Sequence, residues 1–190
     1  MCIRDSVYPA HGAGSACGKN LDKETIGTIG EQKRSNYALR SNMTKDEFIN
    51  EVLYGIEEPP QYFKKNILLN KQGYNNLEEV LLSSNNPLSV KLFEKLAKKK
   101  ENIILDVRSK EEFVKNHIPG SIFVGLEGAF APWVGALIYD INQPILLVVP
   151  KGCTKEAITR LARVGYENIL GYLKGGIVSW LEKNKPINQI

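Results

Sequence analysis

Five apolar residues in a row, Ile145 to Val149, stand between Pro144 and Pro150. Apolarity without alternation suits a strand covered on both faces rather than one with a wet side. Pro150 ends the run. The next apolar set, Ile158, Leu161 and Ala162, has helical spacing, so the segment reads as strand, short loop, helix start. In an open α/β sheet, the loop at the carboxyl end of such a strand is where ligands bind. Here that loop begins Pro150-Lys151-Gly152-Cys153.

The same alternation extends in both directions. Ser89 is placed to cap a helix carrying Leu92, Phe93 and Leu96. Asn102 to Val107 reads as a buried strand, Glu111 to Val114 as the start of a short helix, and Ile122 to Val124 as a further strand. Phe130, Trp133, Val134 and Leu137 recur at helical spacing. After the loop come a helix from Thr154 to Val164 closed by Gly165, a short strand near Ile169-Leu170, and a last helix with Ile177, Trp180 and Leu181. Strands separated by helices imply a parallel sheet covered on both faces.

Upstream of Leu88 the pattern differs. Residues 1–6 connect to nothing that follows and read as a sequence scar. Val7 to Asn20 reads as a strand end and a Gly-rich loop, and a helix is expected from Lys23 to about Tyr37. Thr44-Lys45-Asp46-Glu47 is a capping box opening a helix with Phe48, Ile49, Val52 and Leu53. Tyr62 to Asn76 shows no clear period and reads as a docking tail and linker. Leu77 to Leu82 reads as a helical turn.

Composition removes several function classes. The longest apolar run has five residues, against the roughly 20 that a membrane span needs, so no membrane role is expected. The net charge is +4 with dispersed basic residues, and Lys98-Lys99-Lys100 follows a helix end, so no nucleic-acid partner is expected. Three cysteines, an odd and sparse set, point to a reducing compartment, the cytoplasm. With only two histidines, His11 and His117, a multi-histidine metal site cannot be assembled within the chain.

Asp106-Val107-Arg108-Ser109-Lys110-Glu111-Glu112-Phe113 precedes His117-Ile118-Pro119-Gly120-Ser121-Ile122, and the chain closes with Leu173-Lys174-Gly175-Gly176-Ile177-Val178-Ser179-Trp180. Physically, Asp106 and Arg108 can pair at a strand end, Glu112 can join them, and His117 can bond backbone at the turn. These motifs, in this order, closely resemble those of rhodanese-like domains over about Leu88 to Ile187. The resemblance implies a small α/β sandwich with a central parallel sheet. In active members the strand matching Ile145 to Val149 ends in a nucleophilic cysteine, held by a cradle of backbone N–H groups at a helix N-terminus. Here Pro150 occupies that position, the loop is about two residues short and the loop arginine is absent, with Lys151 and Lys155 the nearest cations. Cys153 is the one candidate nucleophile. Either it is displaced and activated by the helix start and the lysines, making the domain a sulfurtransferase or persulfide carrier, or it is an incidental small residue. The second reading is favoured, and a catalytically silent domain is expected.

Val7-Tyr8-Pro9-Ala10-His11, the following Gly-Ala-Gly-Ser, and Ile29 to Leu39 resemble the end of a metallo-β-lactamase-fold domain of the glyoxalase II and persulfide dioxygenase branch. By that resemblance His11 matches the last metal-ligand histidine, useful only in an intact parent domain. The chain is then expected to be a C-terminal fragment of an enzyme using zinc or iron on a glutathione thioester or a small thiol persulfide. No cofactor is expected in the fragment, and a homo-oligomer is allowed. The fold class expected is α/β, a rhodanese-like parallel-sheet domain at 88–187, preceded by a helical metallo-β-lactamase remnant at 7–76 and a linker at 77–87.

Overall fold

The computed structural model describes residues 4–11, 23–56 and 62–190. The chain divides into two compact units, residues 1–58 and 59–190.

In the first unit, strand β1 (Ser6–Val7) pairs antiparallel with β2 (Gly27–Thr28). Helix α1 covers Ile29–Ser35 and a 3₁₀ turn covers Tyr37–Leu39. The helix expected from Lys23 therefore starts six residues later. The physical reason is a second capping box: the Glu31 N–H donates to Thr28 Oγ1 at 3.2 Å while Glu31 accepts from the Thr28 N–H at 2.8 Å. The expected box at Thr44 and Glu47 opens α2 (Lys45–Leu53). Neither α1 nor α2 buries a residue, and Phe48, Ile49 and Leu53 are exposed. The Gly-rich run after His11 lies outside the described residues.

The second unit carries, in chain order, α3 (Tyr62–Gln72), α4 (Leu77–Ser84), β3 (Pro87–Leu88), α5 (Val90–Ala97), β4 (Ile103–Asp106), α6 (Lys110–Lys115) and β5 (Ile122–Phe123). Then follow α7 (Phe130–Leu137), β6 (Ile145–Val148), α8 (Thr154–Ala162), β7 (Ile169–Leu173) and α9 (Gly176–Glu182). The sheet order is β3-β7-β6-β4-β5, and every neighbouring pair is parallel. Two stretches differ from expectation. The tail expected over Tyr62–Asn76 is helical in α3, whose Leu69 packs on the core and whose Tyr62 ring occupies the space a Cβ on Gly135 would need. The stretch 77–87, expected as a linker, extends the helical turn read at Leu77–Leu82 into α4 over Leu77–Ser84, with Val80 buried, and ends in the first residue of β3.

The five-residue apolar run is explained by the two cores. Successive strand side chains point to opposite faces. Ile145 and Leu147 enter one core with Val80, Phe130, Val134, Ile158 and Leu161 from α4, α7 and α8. Leu146 and Val148 enter the other with Phe93, Ile177 and Trp180 from α5 and α9. All four β6 side chains are fully buried, each contributing about 1.5–3 kcal/mol relative to exposure. Among the described residues no helix is long and apolar enough to cross a membrane.

The Tyr166 hydroxyl donates to the Ile138 carbonyl at 2.5 Å and so fixes the end of α7. Tyr166→Phe leaves that carbonyl without this donor and is expected to cost about 1–3 kcal/mol in chemical denaturation. Burial, and secondarily the nearby Tyr62 and Asp140, raises the Tyr166 phenol above its ordinary value. The folded state thus holds this proton more tightly than the unfolded chain. The associated stability is present below the ordinary tyrosine range and is lost as pH rises through the raised value. The variant is accordingly expected to lose stability less steeply at alkaline pH than the parent, and an equally steep loss would contradict this role.

Connections leave the centre of the sheet in opposite directions. From β4 the chain crosses through α6 to β5 at one edge, whereas from β6 it crosses through α8 to β7 on the other side. The carboxyl ends of the adjacent β4 and β6 therefore open a crevice.

Candidate functional site

The loop after β6 is a tight turn. The Cys153 N–H donates to the Pro150 carbonyl at 3.1 Å, and Gly152 takes φ 84°. A positive φ at the third position with an ordinary residue before it is the type II turn that glycine permits. Cys153 is the N-cap residue of α8 but makes no side-chain cap bond. Its thiol is half-buried against the core, with Sγ 3.9 Å from the Lys151 carbonyl oxygen. Pro150 offers neither a sulfur atom nor an N–H.

The loop after β4 is pinned by a buried ion pair. Asp106 and Arg108 are 0% and 2% exposed. Arg108 Nη2 donates to Asp106 Oδ2 at 2.6 Å and Nε to Oδ1 at 2.9 Å. The Arg108 N–H also donates to Oδ1, at 3.1 Å, and Nη2 reaches the Asn116 carbonyl at 2.7 Å. Glu112 does not join this pair. It accepts from the Ser109 N–H at 3.2 Å while Ser109 Oγ accepts from the Glu112 N–H, a capping box that opens α6. His117 bonds backbone as expected, with Nδ1 2.9 Å from the Phe113 carbonyl oxygen. Its ring stacks on Phe113 with centroids 4.0 Å apart, and its backbone pairs with Asn188. Asp106, Arg108, Glu112 and His117 all shape loops.

Between these loops and the one after β5 lies a cleft of about 1000 Å³. Pro150 and Cys153 line it, whereas Lys151 and Lys155 do not. Phe130 and Val134 turn into the core, but Trp133 and Leu137, on the same helix, line the cleft and are 59% and 43% exposed. Arg160 was not singled out from the sequence. It reaches across from α8, donating through Nη1 to the Leu126 carbonyl and pairing through Nη2 with Glu156 Oε1 at 2.9 Å. The available signal was spacing: Cys153, Glu156 and Arg160 recur at i, i+3 and i+7, while Ala157, Ile158 and Leu161 take the buried face.

The charge of this cleft suits an anion poorly. Both guanidinium groups lining it are neutralised, Arg108 by Asp106 and Arg160 by Glu156. Glu111 and Glu127 line the cleft as exposed carboxylates, against Lys110 as the exposed cation.

His11 is exposed, and among the described residues no group of three or more His, Cys, Asp or Glu side chains is placed to hold a metal ion. A lone histidine donor does not fit the zinc or iron centre implied by the second resemblance.

The family model for the rhodanese-like domain matches residues 89–183. The uncharacterized protein YibN of Escherichia coli (strain K12) is 29% identical over 94 residues, which are 49% of this chain and 65% of YibN. Among solved structures, a metallo-β-lactamase from Staphylococcus aureus subsp. aureus COL superposes with a TM-score of 0.59 and 28% identity, covering 89% of this chain and 44% of that one. A match over 89% of the chain takes in both compact units. The Alr3790 protein from Anabaena sp. superposes with a TM-score of 0.48 and 21% identity, covering 54% of this chain and 82% of that one. The chain thus spans less than two thirds of the length of YibN and less than half of the Staphylococcus protein.

Proposed function

Because this chain belongs to the rhodanese-like domain family, we propose that its second unit is a rhodanese scaffold that no longer transfers sulfur and serves a metallo-β-lactamase-fold enzyme of glutathione thioester or persulfide metabolism. One observation carries the first half of this reading. Two residues past β6, at the position the resemblance matches to the family's nucleophilic cysteine, stands Pro150, and the loop closes on itself through the Cys153 N–H. A persulfide-forming thiolate is stabilised by converging N–H groups and positive charge. Here the guanidinium groups of the cleft are already paired.

The second half rests on the likeness to the Staphylococcus metallo-β-lactamase, which extends through both units. The hydrolase or dioxygenase chemistry proposed for the parent enzyme belongs in this reading to the metallo-β-lactamase fold and not to the cleft. The described residues do not by themselves assemble the ligands of a metal centre.

Cys153 lines the cleft beside Pro150, and that position supports the competing reading of a persulfide carrier. Intact-mass measurement after exposure of the full chain to glutathione persulfide separates the two. The expected result is the same sulfur gain in the parent and in Cys153→Ser, because any gain arises at the other two cysteines. One extra sulfur in the parent, lost in Cys153→Ser, would establish the carrier.

A further inference from the structure

Resting on the reading of the cleft as no longer a sulfur-transfer site, we propose that it is a docking groove for an extended peptide segment whose apolar side chain is flanked by basic residues. The apolar part of the argument begins with α7. Its sequence, Phe130 to Leu137, is apolar nearly all round, a composition that ordinarily accompanies full burial. Trp133 and Leu137 nevertheless stand exposed on the cleft side, with buried Leu126 lining the same space. An aromatic side chain in a concave site is the residue type that concentrates binding energy.

Charge selects the occupant. Glu111 on α6 and Glu127 in the loop after β5 approach the cleft from two different elements, and neither carboxylate makes an ion pair or a hydrogen bond among the described residues. Arg160, the cation on the facing helix, is held by Glu156 and the Leu126 carbonyl. An anionic ligand would meet two unpaired carboxylates against one exposed cation, Lys110, whereas a lysine or arginine would find a partner on either wall. The face of Trp133 adds a cation–π surface for the same guest. An acidic segment and a small anion such as thiosulfate are disfavoured on the same grounds.

The test uses two blocked pentapeptides, leucine flanked by lysines and leucine flanked by glutamates, titrated into the ¹⁵N-labelled full chain. The chain has two tryptophans and hence two indole signals. Trp180 is buried and donates its indole N–H to the Pro186 carbonyl at 2.9 Å, so it serves as the internal reference. The lysine peptide should move the Trp133 signal saturably and leave the Trp180 signal in place, while the glutamate peptide moves neither. The double variant Glu111→Gln/Glu127→Gln, at two exposed positions, should weaken the lysine peptide about fivefold. An absent response to the lysine peptide, an equal response to both, or an unchanged affinity in the double variant would overturn the proposal. So would movement of the Trp133 signal on dilution of the chain alone, which marks a second copy as the occupant. A Cys153-dependent sulfur gain in the mass measurement strikes the silent-site reading instead and is scored apart from this titration.

Discussion

Arg108→Ala is expected to destabilise the second unit by about 3–5 kcal/mol, the cost of breaking a buried ion pair by removing one partner. Asp106 is fully buried at the end of β4 and receives Nε, Nη2 and the backbone N–H of Arg108. The alanine variant keeps only the backbone donor and leaves a carboxylate among Leu105, Val107 and their neighbours. It also removes the donors to Asn116 that tie the end of α6 to the loop. Against the roughly 5–15 kcal/mol that separates a folded domain from its unfolded chain, this is a large share. Chemical denaturation of the full chain should show an earlier midpoint for the transition of residues 59–190. Arg108→Lys should recover little, because an ammonium cannot reproduce the bidentate geometry. Combining Arg108→Met with Asp106→Asn should recover most of the loss, since no buried charge is then stranded. A single variant within about 0.5 kcal/mol of the parent would show that the pair does not hold the loop.

The parallel sheet was readable because β6 leaves few alternatives. Five apolar residues between two prolines, followed by helical spacing, admit little besides a central strand and a crossover helix. The Asp106–Arg108 pair was equally legible, since two residues of opposite charge flank one valine at a strand end. Glu112 was not placed correctly, although Ser109-x-x-Glu112 is itself a capping signature. Spacing alone does not say whether a carboxylate turns toward the backbone or toward a guanidinium. Helix α3 was missed because its mixed polarity gives no period, and its position depends on Tyr62 meeting Gly135, far along the chain. The Arg160 contact with Leu126 spans 34 positions and exists only once β5, α7 and α8 have packed. The apolar run read as ending at Pro150 forms β6 over Ile145–Val148, and Cys153, three residues past Pro150, is the N-cap residue of α8. The turn that seals the loop is a matter of backbone angles, and these required the structure.

The other large expected effect concerns sulfur transfer. In the thiosulfate to cyanide reaction the outer sulfur of thiosulfate moves to an enzyme thiolate, releasing sulfite, and cyanide then removes that sulfur as thiocyanate. Both half-reactions pass through one persulfide at the end of the central strand, and removing the nucleophile of a covalent mechanism costs on the order of 10⁶-fold in rate. By the sequence resemblance Pro150 takes that position, Cys153 is packed half-buried at the start of α8, and the cleft guanidinium groups are already paired. The proposed silent scaffold rests on three features: no cysteine at the position the resemblance matches, a loop closed by the Cys153 N–H, and cleft guanidinium groups already held by carboxylates. Thiocyanate production by the full chain, measured beside Cys153→Ser, tests this most directly. The rate of each protein should equal the protein-free background. A parent rate well above background that disappears in Cys153→Ser would contradict the silent scaffold and make Cys153 a working nucleophile.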